Sequence, residues 1–312
     1  MSKNRHLAIV IPAYKSTFLP AALDSIAAQT CQDFTLYIGD DCSPNNIGEI
    51  VEWYREKINL VYKRFDTNLG GKDLVAQWER CIDMTQDEEW LWLFSDDDVM
   101  EEKCVEEFYK QMERRPNNRL FRFNVNVINE EGTVINRLPQ WQDLMSAREY
   151  IDGKLLQHKC VSYVVEFIVH RDVFFKSGRF QNFDLAWGSD FLSWVKFADA
   201  AGGIATIQTA RVRWRRSGEN ISPNMSNPIA YRKIMSLIEN AKWLIDFTSE
   251  RGYCKKFLYS RYPLGEIKRN RKILTRQQKM ELLSIYIKCI NPSTIVRLFV
   301  LGWLYYEKIN NN

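Results

Sequence analysis

Histidine is scarce in this 312-residue chain: His6, His158 and His170 are too few and too far apart to build a histidine metal site. Seven cysteines, at positions 31, 42, 81, 104, 160, 254 and 289, are odd in number, scattered, and never spaced C-x-x-C. That spacing argues against a disulfide framework or a zinc site and fits the reduced thiols of a cytosol. The N-terminal stretch MSKNRHLAIVIPAYKS has one short apolar run broken by Pro12 and no small-residue cleavage signal, so it reads as a first strand. A cytoplasmic protein is expected. Net charge is also small, at +4, which excludes a generic polyanion binder and leaves no nucleic-acid partner to expect. No internal repeat or low-complexity linker interrupts the chain.

What is present suits a folded enzyme, with 46% hydrophobic and 13% aromatic residues supporting a sizeable core. Over the first 130 residues, strand-like runs alternate with helix-like ones. LAIVI (7–11), TLYIG (35–39), INLVYKR (58–64) and WLWLF (90–94) are the strands, and helices are expected from Leu19, Asn46 and Gly71. In the third helix Leu74, Val75, Trp78, Cys81 and Ile82 recur at offsets of three and four, giving one apolar face. Strand, helix and strand at spacings near 30 residues imply βαβ units and a mostly parallel sheet flanked by helices. Such sheets bind ligands at the carboxyl ends of their strands, where helix N-termini also point.

Each of those carboxyl ends carries a polar cluster. Strand one ends in PAYKS, strand two in DDCSPN, strand three in FDTNLGGK and strand four in SDDD. A turn or helix cap explains any one of them, since Asp, Asn, Ser and Gly are what turns need. Several acidic clusters converging on one rim ask for more. Asp96, Asp97 and Asp98 offer hard oxygen ligands to Mg2+ or Mn2+, which are held by one or two carboxylates together with substrate phosphates. The simpler reading makes Asp98 the N-cap of a helix starting near Glu101, yet three adjacent like charges repel unless a cation offsets them.

Taken together, VIPAY (10–14), SIAAQT (25–30), DDCS (40–43), NLGG (68–71) and FSDDDV (94–99) resemble, in order and spacing, the family 2 glycosyltransferases, nucleotide-sugar-dependent enzymes of the GT-A fold. The resemblance covers about the first 105 residues. It implies that Pro12, Ala13 and Tyr14 line a uridine pocket and that Asp40 accepts from the base, with Asp41 nearby. Lys72 becomes a donor contact, although a solvated lysine at a helix start is the plain alternative. Where the family carries a D-x-D signature, Ser95 stands in the first place, Asp96 in the middle and Asp97 at the metal-binding end. Asp96 then falls to the nucleotide and Asp97 with Asp98 to the metal, and the direct ligand among the three stays open.

Inversion at a sugar's anomeric carbon needs a base that takes the acceptor hydroxyl's proton. FDLAWGSDFLSWVKF offers Asp190, at the start of a helix-like run where the resemblance places the catalytic aspartate. Ser189 competes with it for an N-cap role, and Asp184 is the alternative base. RVRWRRSGENIS (211–222) resembles the segment that closes over the diphosphate. Many relatives have a histidine there, whereas here Arg215 and Arg216 could pair with phosphate oxygens through their planar forks.

The expected organisation is a GT-A (Rossmann-like) catalytic domain over 1–222, split into a nucleotide-binding half (1–105) and an acceptor half (106–222). A basic, helical extension over 223–312 follows. Residues 228–250 place Ile234, Leu237, Ile238, Ala241, Leu244 and Ile245 on one stripe, and 251–280 hold ten Lys or Arg against Glu266 alone. The apolar run at 291–308 is interrupted by Arg297 and is shorter than the ~20 residues of a membrane span. It reads either as a helix packed on its own domain or as a peripheral membrane contact through 251–308.

The function expected is an inverting, UDP-sugar-dependent hexosyltransferase acting on a hydroxyl of a surface polysaccharide or lipid-linked glycan, assisted by Mn2+ or Mg2+. A catalytically silent nucleotide- or glycan-binding relative within a polysaccharide assembly complex is the alternative. A phosphatase of the haloacid dehalogenase type, which also sets D-x-D at a strand end, is set aside. Met100 occupies the position where that motif wants Thr or Val, and three strands precede it.

Overall fold

In the structure, a computed structural model, residues 7–219 and 226–309 are described, the last three without their side chains. His6 and residues 220–222 of the arginine-rich segment lie outside the described residues. The chain divides into two units, Met1–Asn182 with Ser193–Glu219, and Phe183–Leu192 with Asn220–Asn312.

Among the described residues of the first unit, ten strands form one sheet. They are β1 (Leu7–Ala13), β2 (Phe34–Asp40), β3 (Leu60–Arg64), β4 (Trp90–Leu93), β5 (Val99–Met100), β6 (Leu120–Ile128), β7 (Val134–Arg137), β8 (Leu144–Met145), β9 (Phe167–His170) and β10 (Ile204–Arg215). The order is β3-β2-β1-β4-β9-β6-β10-β5, with β7 on β6 and β8 on β10. β3, β2, β1 and β4 run parallel, as expected from their βαβ spacing. Beyond them the sheet is mixed, because β9 enters antiparallel to both β4 and β6. Helices α1 (Leu19–Ala27), α2 (Ile47–Glu52), α3 (Leu74–Ile82), α4 (Cys104–Arg114), α5 (Ala147–Leu155) and α6 (Arg171–Lys176) connect these strands.

β1 is a central strand, and Pro12 does not end it. Its ladder with β4 stops at Val10 and Leu93, so from Pro12 onward only β2 is alongside and the missing N–H breaks no bond toward β4. WLWL is buried on both faces, as a parallel strand covered on both sides requires. Trp90 meets Phe108, Phe121 and His170 edge-on, while Trp92 stacks on Phe123 and donates its indole N–H to the Val165 carbonyl at 2.7 Å. An aromatic body with its one polar atom satisfied makes a stiff base for the loop that follows.

α7 (Ser189–Ala200) begins in the second unit and continues in the first. Among the described residues, the remaining α-helices of the second unit are α8 (Asn227–Glu250), α9 (Lys256–Arg269), α10 (Arg276–Ile290) and α11 (Thr294–Ile309). α8 packs on α9 and α10, and α11 on α10. The expected stripe of α8, from Ile234 to Ile245, is buried. A capping box of Thr275 and Gln278 starts α10, and Asn291 in the left-handed region ends it just before Pro292.

Candidate active site

The three aspartates after β4 do three different jobs. Asp96 turns back to the loop after β1, its Oδ2 accepting the N–H of Tyr14 and of Lys15, each at 2.8 Å. Asp97 faces two side chains, with the Lys15 ammonium 2.7 Å from Oδ2 and the Ser95 hydroxyl on Oδ1. Asp98 reaches the end of β10, where its Oδ1 accepts the Arg215 N–H at 2.7 Å. None of them caps a helix: β5 comes first, and α4 begins only at Cys104 with Lys103 before it. The helix-cap reading of the triplet is therefore corrected.

All three carboxylates are nearly excluded from water. Burial and the adjacent Asp97 charge push Asp96 up to about 6, opposed by Lys15 and the two backbone N–H groups. The same causes hold Asp98 well above the ordinary carboxylate range, opposed by the Arg215 N–H. Burial works against the Lys15 ammonium, yet Asp97 and Asp96 hold its pKa above the ordinary lysine value.

The neighbouring strand ends are tied in similarly. Asp40 is wholly buried at the end of β2, with Oδ1 accepting from Ser43 N–H at 2.8 Å and Oδ2 from the Tyr62 hydroxyl and Arg64 at 2.7 and 2.8 Å. Tyr62 and Arg64, two apart on β3, present both donors from one face. Asp41 accepts the backbone N–H groups of Leu69 and Gly70 at 2.7 and 2.8 Å and pairs with Arg80. A Cβ on Gly70 would lie 2.7 Å from the Asp41 Oδ2, so the glycine of NLGG is required by that close approach. Ala13 is buried, Pro12 half-buried, and Tyr14 is 42% exposed, its backbone carbonyl accepting from the Ser43 hydroxyl and the Asn45 amide.

Lys72 is exposed in the turn before α3, and its backbone N–H bonds to the Leu69 carbonyl. Arg215 is buried, with Nε on the Asp97 carbonyl and Nη1 on the carbonyls of Asn129 and Glu130. Its neighbour Arg216 is exposed. Thus the two arginines grouped together by sequence differ: one braces the aspartate loop, and the other extends into solvent.

Asp190 belongs to the second unit, in the first turn of α7 and partly buried. Ser189 opens that helix and accepts the Phe183 N–H on its hydroxyl. The approach is tightly turned, since Leu185, Ala186 and Gly188 have φ of 58°, 52° and 85°. A Cβ on Gly188 would come within 2.0 Å of the Asn240 amide, which bonds the Trp187 carbonyl. Asp184 is committed elsewhere, in a two-pronged pair with Arg232 at 2.6 and 2.8 Å whose hydrogen bonds lower its pKa.

A divalent cation is compatible with the aspartate loop. The donor set is oxygen only, and Asp97 already faces a cation, the Lys15 ammonium. Among the described residues no three His, Cys, Asp or Glu side chains form a metal-holding group.

Residues 8–175 match the family model described as Glycosyl transferase family 2. The chain is a family 2 glycosyltransferase. An uncharacterized glycosyltransferase of Haemophilus influenzae is 28% identical over 153 residues, which is 48% of this chain and 49% of that protein. Glycosyltransferase GlyG of Streptococcus pneumoniae is 26% identical over 110 residues, 35% of this chain and 36% of the relative. The match therefore spans half or less of these relatives' lengths. In fold, this glycosyltransferase is similar to the crystal structure of Staphylococcus aureus TarS 1–349 in complex with UDP-GlcNAc. That likeness has a TM-score of 0.64 at 15% identity and covers 98% of this chain and 88% of the other.

Four side chains that organise this family 2 site escaped the sequence reading: Lys15, Tyr62, Arg64 and Arg80. Lys15 was visible only as part of PAYKS. The i, i+2 pairing of Tyr62 and Arg64 on β3 was a readable signal, whereas the reach of Arg80 from α3 to Asp41 depends on how helix and strand pack.

Proposed function

We propose that the chain is an inverting, metal-assisted hexosyltransferase that moves a sugar from a UDP-linked donor to a hydroxyl of a surface polysaccharide or lipid-linked glycan. The observation that supports this most is the knitting of the loops after β1, β2, β3 and β4 into one rim: Asp96 and Asp97 tie the loop after β4 to that after β1, Ser43 ties the loop after β2 to that after β1, and Asp41 ties it to the loop after β3. Solved TarS structures hold UDP-GlcNAc and UDP, which favours uridine in the donor.

In this reading Pro12, Ala13 and the exposed Tyr14 ring border the base, with Asp40 and Asp41 shaping the pocket and Asp96 fixing the loop backbone. Lys72 and Arg216 are exposed cations available to the diphosphate, and Arg215 keeps the metal loop in place. Asp97, with Asp98 alongside, would hold Mn2+ or Mg2+. When bound, that ion neutralises charge on the departing diphosphate. Asp190 takes the proton of the acceptor hydroxyl as its oxygen attacks the anomeric carbon from the face opposite the nucleotide. Asp184 suits that role less well, because Arg232 occupies both of its oxygens and the pair lowers its basicity.

Calorimetry of UDP binding with Mn2+ and with chelator tests the metal assignment. Asp97→Ala is expected to lose the metal-dependent part of the affinity, at least about tenfold, matching removal of a charge-assisted contact. Unchanged affinity in Mn2+ would move the ligand elsewhere. A thermal-shift screen of nucleotide sugars, followed by an assay for UDP release, separates the enzyme from a silent binder, which would bind a donor without turnover.

A further inference from the structure

α11 is apolar well beyond the side it buries. Val296 and Val300, one turn apart, are buried, and α11 packs on α10. Around the rest of the helix Ile295, Leu298, Phe299, Leu301, Tyr305 and Tyr306 are between 46% and 79% exposed. Single exposed apolar residues are ordinary, but six large ones on one helix, with the exposed Arg297 among them, make a patch. Sixteen residues span about 24 Å, less than the ~30 Å of a bilayer core. Among the described residues no helix is long and apolar enough to cross a membrane.

Charge distinguishes the possible occupants of this face. Residues 251–309 carry thirteen Lys and Arg against Glu266, Glu281 and Glu307, whereas the preceding 250 residues have more acids than bases. Lys268, Arg271, Lys272 and Lys288 are among the exposed cations of α9, α10 and the turn between α9 and α10. A second copy pairing through this unit would bring the same excess of positive charge to it, which opposes symmetric pairing. An anionic lipid surface answers both features, taking the apolar side chains into its interface and the cations among its head groups.

We infer that the second unit docks on anionic membrane surfaces, with α11 lying in the interface and Tyr305 and Tyr306 at head-group level. The test is sedimentation of the full chain with vesicles of phosphatidylcholine, with and without phosphatidylglycerol, in the absence of nucleotide and acceptor. Binding should be at least about tenfold tighter with the anionic lipid and fade as salt shrinks the Debye length from about 10 Å to about 3 Å. The double variants Leu298→Glu/Phe299→Glu and Lys268→Glu/Lys272→Glu should each weaken it about tenfold, with melting temperature unchanged. Equal binding to both vesicles, or none, overturns the inference. So does light scattering that shows a dimer which Leu298→Glu/Phe299→Glu dissociates. Because no donor is present, a failure here leaves the glycosyl-transfer reading untouched.

Discussion

The Lys15 ammonium lies 2.7 Å from the Asp97 Oδ2, with the two side chains 28% and 6% exposed. The carboxylate proposed to hold a divalent cation thus already carries a monovalent one, and the two cations should compete. Lys15→Ala is expected to raise Mn2+ affinity about three- to tenfold in the absence of nucleotide, on the order of the 1 kcal/mol of a partly exposed ion pair. Electron paramagnetic resonance of free Mn2+ reads this directly. Unchanged or weaker binding would mean that Lys15 does not compete for Asp97.

Asp190→Asn should lower transfer by about 10²-fold or more, the usual weight of a positioned base, while UDP binding stays within about twofold. Asp184→Asn should instead act on stability through the lost pair with Arg232, by about 1 kcal/mol given that both partners are over a third exposed. Turnover of the two variants, measured beside their melting temperatures, separates base from brace. Wild-type-like turnover by Asp190→Asn would remove it from the chemistry.

Gly70→Ala forces a methyl group against the Asp41 carboxylate. Overpacking of this kind costs about 1–3 kcal/mol, and the loop bonds to Leu69 and Gly70 should loosen with it. A lower denaturation midpoint together with weaker UDP binding is the expected result. A change in stability with nucleotide affinity intact would separate this loop from the binding rim.

Glu166 gives stability a pH dependence. It is wholly buried against Arg122, their closest atoms 2.8 Å apart, and burial raises its pKa to about 7 despite the opposing guanidinium. The folded state therefore holds this proton more tightly than the unfolded chain does. The resulting stabilisation is complete below about pH 4.5 and is lost as pH rises through about 7, up to ~3 kcal/mol in all. Glu166→Gln should remove that slope from a pH series of urea midpoints. An identical slope in the variant would assign it to other groups.

What could be read in the sequence followed from local periodicity. β1, β2 and β4 and helices α1, α3 and α8 lie close to where their apolar patterns put them, because burial on one stripe or both faces is written residue by residue. β5 was not legible: Val99 and Met100 are strand only because β10 passes antiparallel to them. The distinct roles of Arg215 and Arg216 were hidden for a similar reason. Alternation along β10 makes one inward and the next outward, but only the position of the Asn129–Glu130 turn shows what the inward one would meet. Proline in β1 misled in the other direction, since a break was expected where the neighbouring strand had simply run out.

The acidic triplet also bears on how a mutational scan should be read. Asp96 bonds the backbone of the loop after β1, Asp98 bonds the backbone of β10, and Asp97 alone faces side chains. Scored by product formation, all three positions would look equally intolerant. Scored by melting temperature and by nucleotide affinity, they should separate, Asp96 chiefly by stability, Asp97 chiefly by metal-dependent affinity and Asp98 by both, so the run DDD would not be a single functional unit.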